Sequence, residues 1–439
     1  MPRHAREPHR PVLPVAVAAA LTGLVLAGSA GAAGALGASA PPSLPGAVPT
    51  VAGAYTSAPA PPAPPVPVPT AEPDVALSIV AAGDVLPHLP VLRSARAGDG
   101  YDFTPLLTPL DPWVRSADLA LCHLEVPVAP QGSAPSGYPV FGAPAQLADG
   151  LAAQGWDGCS TASNHSVDRG WAGVGATLDA LDGAGLGHVG TARSPGEDAQ
   201  AQLYRLERAG RTVTVAHLAS TYGTNGMPVD PDKPWSVQLT DADDLVTRAT
   251  AARAAGADLV LVSLHWGSEY RTAPTDTQRA LAQELADSGS VDLVIGHHAH
   301  VPQPVELLAG GPDGVGMWVA YGLGNYVSNQ DEACCAADTA SGLLLTAEVV
   351  ATGADPAAGT PAGPARVAGV QWTPITVDRA GGHRVHALVD IPDGTASLPA
   401  ARVARRLELV RGAAGPAAPE RATPAAATGP APVVVPRTR

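Results

Sequence analysis

Beyond residue 74, short apolar runs alternate with stretches whose apolar residues recur every three or four positions. "VALSIVAAGD" (75–84), "ADLALCHLEV" (117–126), "TVTVAHLAS" (212–220), "ADLVLVSLHWG" (257–267) and "VDLVIGHHAH" (291–300) are continuous runs of strand length. Such runs suit strands covered on both faces. "GMWVAYGLGNYV" (316–327) predicts a further strand ending in a Gly-Asn turn, and "AAQGWDGCSTASNH" leads into Asn164 and His165. The helical stretches predict helices over 144–154, 171–185, 241–255 and 274–288, the last with Thr275 as N-cap and Gly289 as stop. "ARVAGVQWTPITVD" and "GHRVHALVDI" are expected to finish the second of two sheets, and "SLPAARVARRLELVRG" to form a final helix. Strands alternating with helices predict one large α/β domain. No internal repeat is visible.

The chemistry-bearing residues fall at strand ends. Asp84, Glu125, Asn164 with His165, His265, and His298 with His300 each follow a predicted strand. In an open α/β sheet, the carboxyl ends of strands converge on one crevice. Each residue alone is ambiguous: an Asp after a strand usually serves a turn, and a strand-end His usually serves the core. Together they supply carboxylate, amide and imidazole donors, the ligand set of a site for two divalent metals such as Mn, Fe or Zn. Two such ions clamp a phosphoryl group and activate water.

Composition narrows the setting. The 439 residues carry 26 Lys and Arg against 40 Asp and Glu, a formal charge of −14, which argues against a nucleic-acid partner. A basic start, "MPRHAREPHR", precedes an apolar stretch, and no charged residue occurs between Arg10 and Glu72. This pattern predicts export, with residues 1–40 either a cleaved signal peptide or a retained membrane anchor. Residues 41–75 form a Pro/Ala-rich linker, 76–412 one folded domain, and 413–439 an expected disordered tail. Cys122, Cys159, Cys334 and Cys335 fit an oxidising compartment. Their pairing is open, except that adjacent Cys334 and Cys335 are not expected to bond to each other.

"GDVLPH", "CHLEVPV", "STASNHSVDRG", "LHWGSEY", "GHHAHVPQ" and "YGLGNYV" occur in this order. Over about residues 76–345 the chain thereby resembles the CapA-like proteins of poly-γ-glutamate capsule biosynthesis, within the calcineurin-like metallophosphoesterase superfamily. The resemblance implies a four-layer α/β/β/α sandwich. It implies Asp84, Glu125, Asn164, His265, His298 and His300 as ligands of two divalent metals, and His165 as a catalytic acid. Asp168 is implied to orient His165, its alternative being a helix N-cap. Trp266, Glu269, Tyr270 and Asn325 are implied to line a substrate pocket, with packing the alternative for Trp266 and a turn for Asn325. His297 aligns with a variable position and is left out.

The chain departs from the wider pattern in two places. Leu86 stands where Asp-x-His has its histidine, with His88 two residues further on. His123 stands where the CapA-like group commonly has Asn. The implied function is a metal-dependent hydrolase of a phosphoester or related bond, acting outside the cytoplasm on a cell-surface polymer or phosphoester. The alternatives are an amide hydrolase or polymer-tailoring transferase, and a non-catalytic component of a membrane-bound polymer synthase complex.

Overall fold

The computed structural model describes Gly53 and residues 70–439. The expected signal or anchor segment, and the linker up to residue 69 apart from Gly53, lie outside the described residues. The strands are β1 (Val75–Val85), the short pair β2 (Arg96–Ala97) and β3 (Gly100–Tyr101), β4 (Leu119–Leu124), β5 (Gly158–Ser160), β6 (Gly187–Val189), β7 (Gln202–Arg208), β8 (Arg211–Thr221), β9 (Leu259–His265), β10 (Leu293–His297), β11 (Val305–Leu308), β12 (Met317–Ala320), β13 (Asn325–Val327), β14 (Ser341–Ala351), β15 (Arg366–Asp378), β16 (Arg384–Ala387) and β17 (Val433–Val435).

Two mixed sheets form the centre. One runs β16-β15-β14-β1-β4-β5-β6 with β13 pairing β1, and the other β11-β12-β10-β9-β8-β7-β17. Alternation along each strand sends side chains to two cores. Leu77, Ile79 and Ala81 of β1 meet Leu259 and Leu261 of β9 between the sheets. Val80 and Ala82 face outward, under Leu147 and Leu151 of the Gln146–Gln154 helix and Val174 and Leu178 of the Gly170–Gly183 helix. On the far side, Val260, Val262 and Leu264 meet Leu245 of the Ala242–Ala254 helix and Leu285 of the Asp276–Asp287 helix. The chain is therefore a four-layer α/β/β/α sandwich. The continuous apolar runs reflect strands buried on both faces.

Local signals place the helix ends. Thr275 accepts from Gln278 N, and the Gln278 side chain returns to the N-cap backbone, a complete capping box. Gly289 follows that helix with φ of 65°.

Two expectations are corrected. "GMWVAYGLGNYV" is two strands in different sheets, β12 and β13, because Gly324 turns the chain across with φ of 67°. β15 and β16 complete one of the two sheets, the one that holds β1. Residues 413–439 are not a loose tail. Pro419 and Arg421 bridge to Trp372 of β15, and Thr428 reaches Asp118. β17 then pairs with edge strand β7, supplying partners that an edge otherwise leaves open. Composition hid this, since a backbone ladder needs no bulky side chains.

Asp118 ties the layers together at the amino ends of the strands. It is buried, and its carboxylate accepts from Ser78 N of β1 at 2.8 Å, from Arg208 Nη2 of β7 at 2.7 Å and from Thr428 N at 2.7 Å. Replacing it strands a buried guanidinium, a loss worth about 3–5 kcal/mol. Asp118→Ala is thus expected to lower stability by about that amount in urea unfolding; an unchanged midpoint would refute the role. A second expectation concerns pH. Burial pushes the Asp157 carboxyl up to about 7, against the pull of the Ala120 N–H it accepts. Between its ordinary value and 7 the folded state holds a proton that the unfolded state releases, so this group's contribution falls as pH rises through that window. Asp157→Asn keeps the acceptor and should make the stability profile between pH 4 and 7 shallower in that direction.

Candidate metal centre

Strands β1, β4 and β5 run parallel in one sheet, and β8, β9, β10 and β12 in the other. Their carboxyl ends open on one edge of the sandwich. Asp84 lies at the end of β1, Glu125 one residue past β4, Asn164 in the loop after β5, His265 at the end of β9, and His298 and His300 in the turn after β10. Two close approaches require glycine before these residues. A Cβ on Gly83 would stand 1.9 Å from Gly324 O, and one on Gly296 1.9 Å from Tyr321 O. His298 and His300 adopt φ of 83° and 58°, a conformation unfavourable for side chains that concentrates at functional sites. The Tyr270 N–H holds that turn by donating to Ala299 O at 2.8 Å.

The residues meet at contact range. His300 Nδ1 lies 3.0 Å from Asp84 Oδ2, His300 Nε2 3.7 Å from Glu125 Oε1, and His265 Nε2 3.9 Å from Glu125 Oε1. Burial drives Glu125 well above the usual carboxylate range, outweighing the His300 charge. Burial pushes Asp84 the same way, but His297 and His300 beside it hold its carboxyl well below its ordinary value. Burial pulls His300 down, yet Glu125 and Asp84 raise it to about 9. Burial lowers His123, His265 and His298, His298 to about 3.

Two residues outside the expected set belong here. His297 Nδ1 lies 3.6 Å from Asp84 Oδ1, and its ring stacks on His123 at 3.9 Å. His123 Nε2 lies 3.0 Å from His265 Nδ1, and His123 Nδ1 lies 2.8 Å from Ser160 Oγ. With both rings neutral, one proton arrangement satisfies the series: the Ser160 hydroxyl donates to His123, His123 to His265, and His265 Nε2 to Asn164 Oδ1 at 2.8 Å. The sequence signal for His297 was its place in "GHHAH". For His123 it was the unusual residue itself.

The donor set fits divalent cations. Both carboxylate oxygens of Glu125, both ring nitrogens of His297 and Nδ1 of His298 are buried without a hydrogen-bond partner. Buried lone pairs left unmatched are costly. Three sets place ligand atoms within 4.8 Å of one another: Asp84, Glu125 and His300; Asp84, His123 and His297; and Glu269, His298 and His300. Imidazole with carboxylate suits transition ions.

Above this floor lies a cleft of about 710 Å³, lined in part by His88, Tyr138, His165, Asp168, Glu269 and Tyr270. His165 Nδ1 lies 2.8 Å from Asp168 Oδ2, which also accepts from Phe141 N at 2.7 Å. Asp168 thus holds His165 and does not cap the following helix, whose N-cap is Arg169. Of the residues expected to line a substrate pocket, Glu269 and Tyr270 line this cleft. Trp266 does not: it is buried in the helix-facing core and donates to Tyr321 O at 2.9 Å. Asn325 is also buried, outside the cleft lining, and braces Gln330 Oε1 at 2.9 Å. His88 lines the cleft but stands apart from the ligand groups, its Nδ1 3.0 Å from Leu86 O. Tyr222, unremarked in the sequence, tilts over His298 at 4.6 Å. Cys122 and Cys159 pair across β4 and β5, and Cys334 and Cys335, against expectation, bond to each other at the cleft wall.

Residues 78–330 match the family described as Bacterial capsule synthesis protein PGA_cap. A Mycobacterium tuberculosis protein named "Probable polyglutamine synthesis accessory protein" is 32% identical over 182 residues, 39% of this chain and 45% of that protein. The Bacillus subtilis "PGA biosynthesis protein CapA" is 32% identical over 171 residues, 39% of this chain and 42% of that protein. The matches therefore span less than half of each relative. Among solved structures, a calcineurin-like phosphoesterase of Bacillus subtilis aligns with TM-score 0.40 at 14% identity, over 77% of this chain and 97% of that one. That likeness is distant, and the chemistry rests on the residues themselves.

Full-length chain supplied with Mn²⁺ or Zn²⁺ is expected to bind transition metal, read by elemental analysis after desalting, and His298→Ala/His300→Ala to lose it. Undiminished metal in the double variant would remove both histidines from the site. His123→Leu is expected to weaken metal affinity about 10–100-fold, because it takes away the partner that orients His265.

Proposed function

The chain belongs to the bacterial capsule synthesis protein family, and from that premise we propose that it is an exported, metal-dependent hydrolase of a phosphoester or related bond in cell-surface polymer biosynthesis. The observation that carries this reading is the group of buried, unpartnered donor atoms on Glu125, His297 and His298, joined through Glu269 beside His298 and His300 to a cleft that His165 and Asp168 also line. Two divalent ions are proposed there, on Asp84, Glu125, Asn164, His265, His298 and His300, with His297 and His123 beside them. When bound, such ions supply Lewis acidity and make water a stronger nucleophile.

The chain's own residues do the rest. Asp168 holds His165 through Nδ1, which leaves Nε2 to deliver a proton to a leaving oxygen. Phe141 sets its ring edge against His165 at 4.8 Å and limits where that imidazole turns. Tyr222 covers His298 from the solvent side and helps to exclude water. The basic start followed by an apolar stretch supports export, by a cleaved signal or a retained anchor. Among the described residues no helix is long and apolar enough to cross a membrane. A non-catalytic place in a membrane-bound polymer synthase complex is the second reading, favoured by the accessory role in one relative's name.

Metal-loaded full-length chain should hydrolyse bis(p-nitrophenyl) phosphate. His165→Asn should lower kcat about 10²–10⁴-fold with metal content unchanged, and Asp168→Asn should lower it less. If wild type turns over neither phosphodiesters nor phosphomonoesters with any of Mn²⁺, Fe²⁺ or Zn²⁺ bound, the assembly reading replaces the hydrolase.

A further inference from the structure

The cleft beside the donor cluster has an unusual charge balance for a place where an anionic polymer would sit. Among its described lining residues the carboxylates are Asp168 and Glu269, and there is no lysine or arginine. Two cations that flank the lining, Arg169 and Arg379, are already engaged. Arg169 donates to Phe141 O at 3.0 Å and Ala134 O at 2.9 Å. Arg379 pairs with Asp331 and reaches Asn329 Oδ1 at 3.2 Å. Burial holds His88 down at about 4, so it carries no charge at neutral pH. His165 is occupied by Asp168.

The uncharged part of the wall has its own character. Tyr138 is 76% exposed at the rim and Tyr270 39%. Asn225, Asn329 and Gln330 add amide groups between them. A groove that grips a polyanion presents arginine and lysine, which match carboxylate and phosphate. A wall of exposed rings, amides and a carboxylate instead matches sugar: the apolar face of a pyranose lies on an aromatic ring, and its hydroxyls donate to carboxylate and amide oxygens. A γ-linked glutamate chain carries one carboxylate per residue. Any length of it filling about 710 Å³ would set several carboxylates against Glu269, with no lysine or arginine in the lining to match them.

We propose that the cleft receives an uncharged glycan body, stacked on Tyr138 and Tyr270, with one anionic reacting group directed to His298 and His300, and that the polyanionic polymer is not its occupant. This deepens the hydrolase reading and rests on it for the reacting group, while the binding surface is tested separately. Water adds to the phosphorus of a phosphate ester and releases its proton to solvent, the P–O bond to the sugar breaks, and the leaving oxygen takes its proton from His165, which solvent then reprotonates.

The test titrates full-length, Mn²⁺-loaded chain by calorimetry with two probes: a neutral N-acetylglucosamine tetrasaccharide and a γ-glutamate oligomer of four residues. The expected result is binding of the tetrasaccharide that changes little between low and high salt. Tyr138→Ala and Tyr270→Ala should each weaken it about fivefold to tenfold, and the glutamate oligomer should bind at least tenfold more weakly. Tighter binding of the glutamate oligomer, no binding of either probe, or tetrasaccharide affinity indifferent to both tyrosines would each overturn the proposal. Tetrasaccharide binding with no ester hydrolysis would leave this platform standing and remove the hydrolase; hydrolysis without tetrasaccharide binding would do the reverse.

Discussion

Glu125 is fully buried, and neither of its carboxylate oxygens has a hydrogen-bond partner. A bare carboxylate in such a place is among the costlier things a fold can hold. Its neighbours do not relieve the cost by direct bonding: His300 and His265 stand 3.7 and 3.9 Å from Oε1. They stand back at a distance that leaves room between them. The rest of the edge is arranged around that gap. Asp84 supplies a second carboxylate, Asn164 an amide oxygen, and His298 a nitrogen without a partner. A wholly apolar version would be easier to fold, so the arrangement makes sense as a receptacle for positive charge.

The sandwich brings these groups together by direction rather than by sequence proximity. Parallel strands in both sheets deliver their last residues to one edge, and the close approaches at Gly83 and Gly296 keep the strand ends near enough to share a ligand. At the opposite edge Asp118 joins β1, β7 and the C-terminal segment in one buried knot. At the carboxyl edge His298 and His300 hold positive φ, and Glu125, His297 and His298 carry unpartnered donor atoms. Satisfied ionic bonding gathers at the other. A structure tolerates the first because the second, together with the intersheet core, over-determines the strand positions.

Much of this was legible in the sequence because the strands are buried on both faces. Continuous apolar runs mark such strands, and whatever polar residue ends them sits at the edge. Asp84, His265, His298 and His300 follow such runs, and that position alone marks them as edge residues. What escaped has physical reasons. His123 lies inside β4 and points between the sheets toward His265, a contact between residues 142 positions apart that no local pattern encodes. Trp266 follows His265 directly and so takes the opposite face, which in this sandwich is helix-covered core. The C-terminal segment is held by β-pairing and by Arg437, whose guanidinium meets Thr191 O at 2.9 Å and Glu197 O at 3.0 Å. Its Ala/Pro/Thr composition resembles disorder because its order is borrowed from the sheet edge.

The choice of imidazole over arginine or lysine has a consequence for how the floor of the cleft is charged. Burial keeps His123, His265 and His298 below their ordinary range, so their rings stay neutral and keep lone pairs at physiological pH. A fixed guanidinium in their place would neutralise Asp84 and Glu125 permanently and close the site to any other cation. His300 is the exception: Glu125 and Asp84 raise it to about 9, so in the chain alone His300 and Glu125 beside it hold on to protons where the donor set calls for positive charge. Proton and metal are then alternative occupants of one position, since a ligating ring must first lose its proton. The same two carboxylates that retain the proton would reward a divalent ion more strongly. The site is thus folded around a charge it does not itself permanently supply.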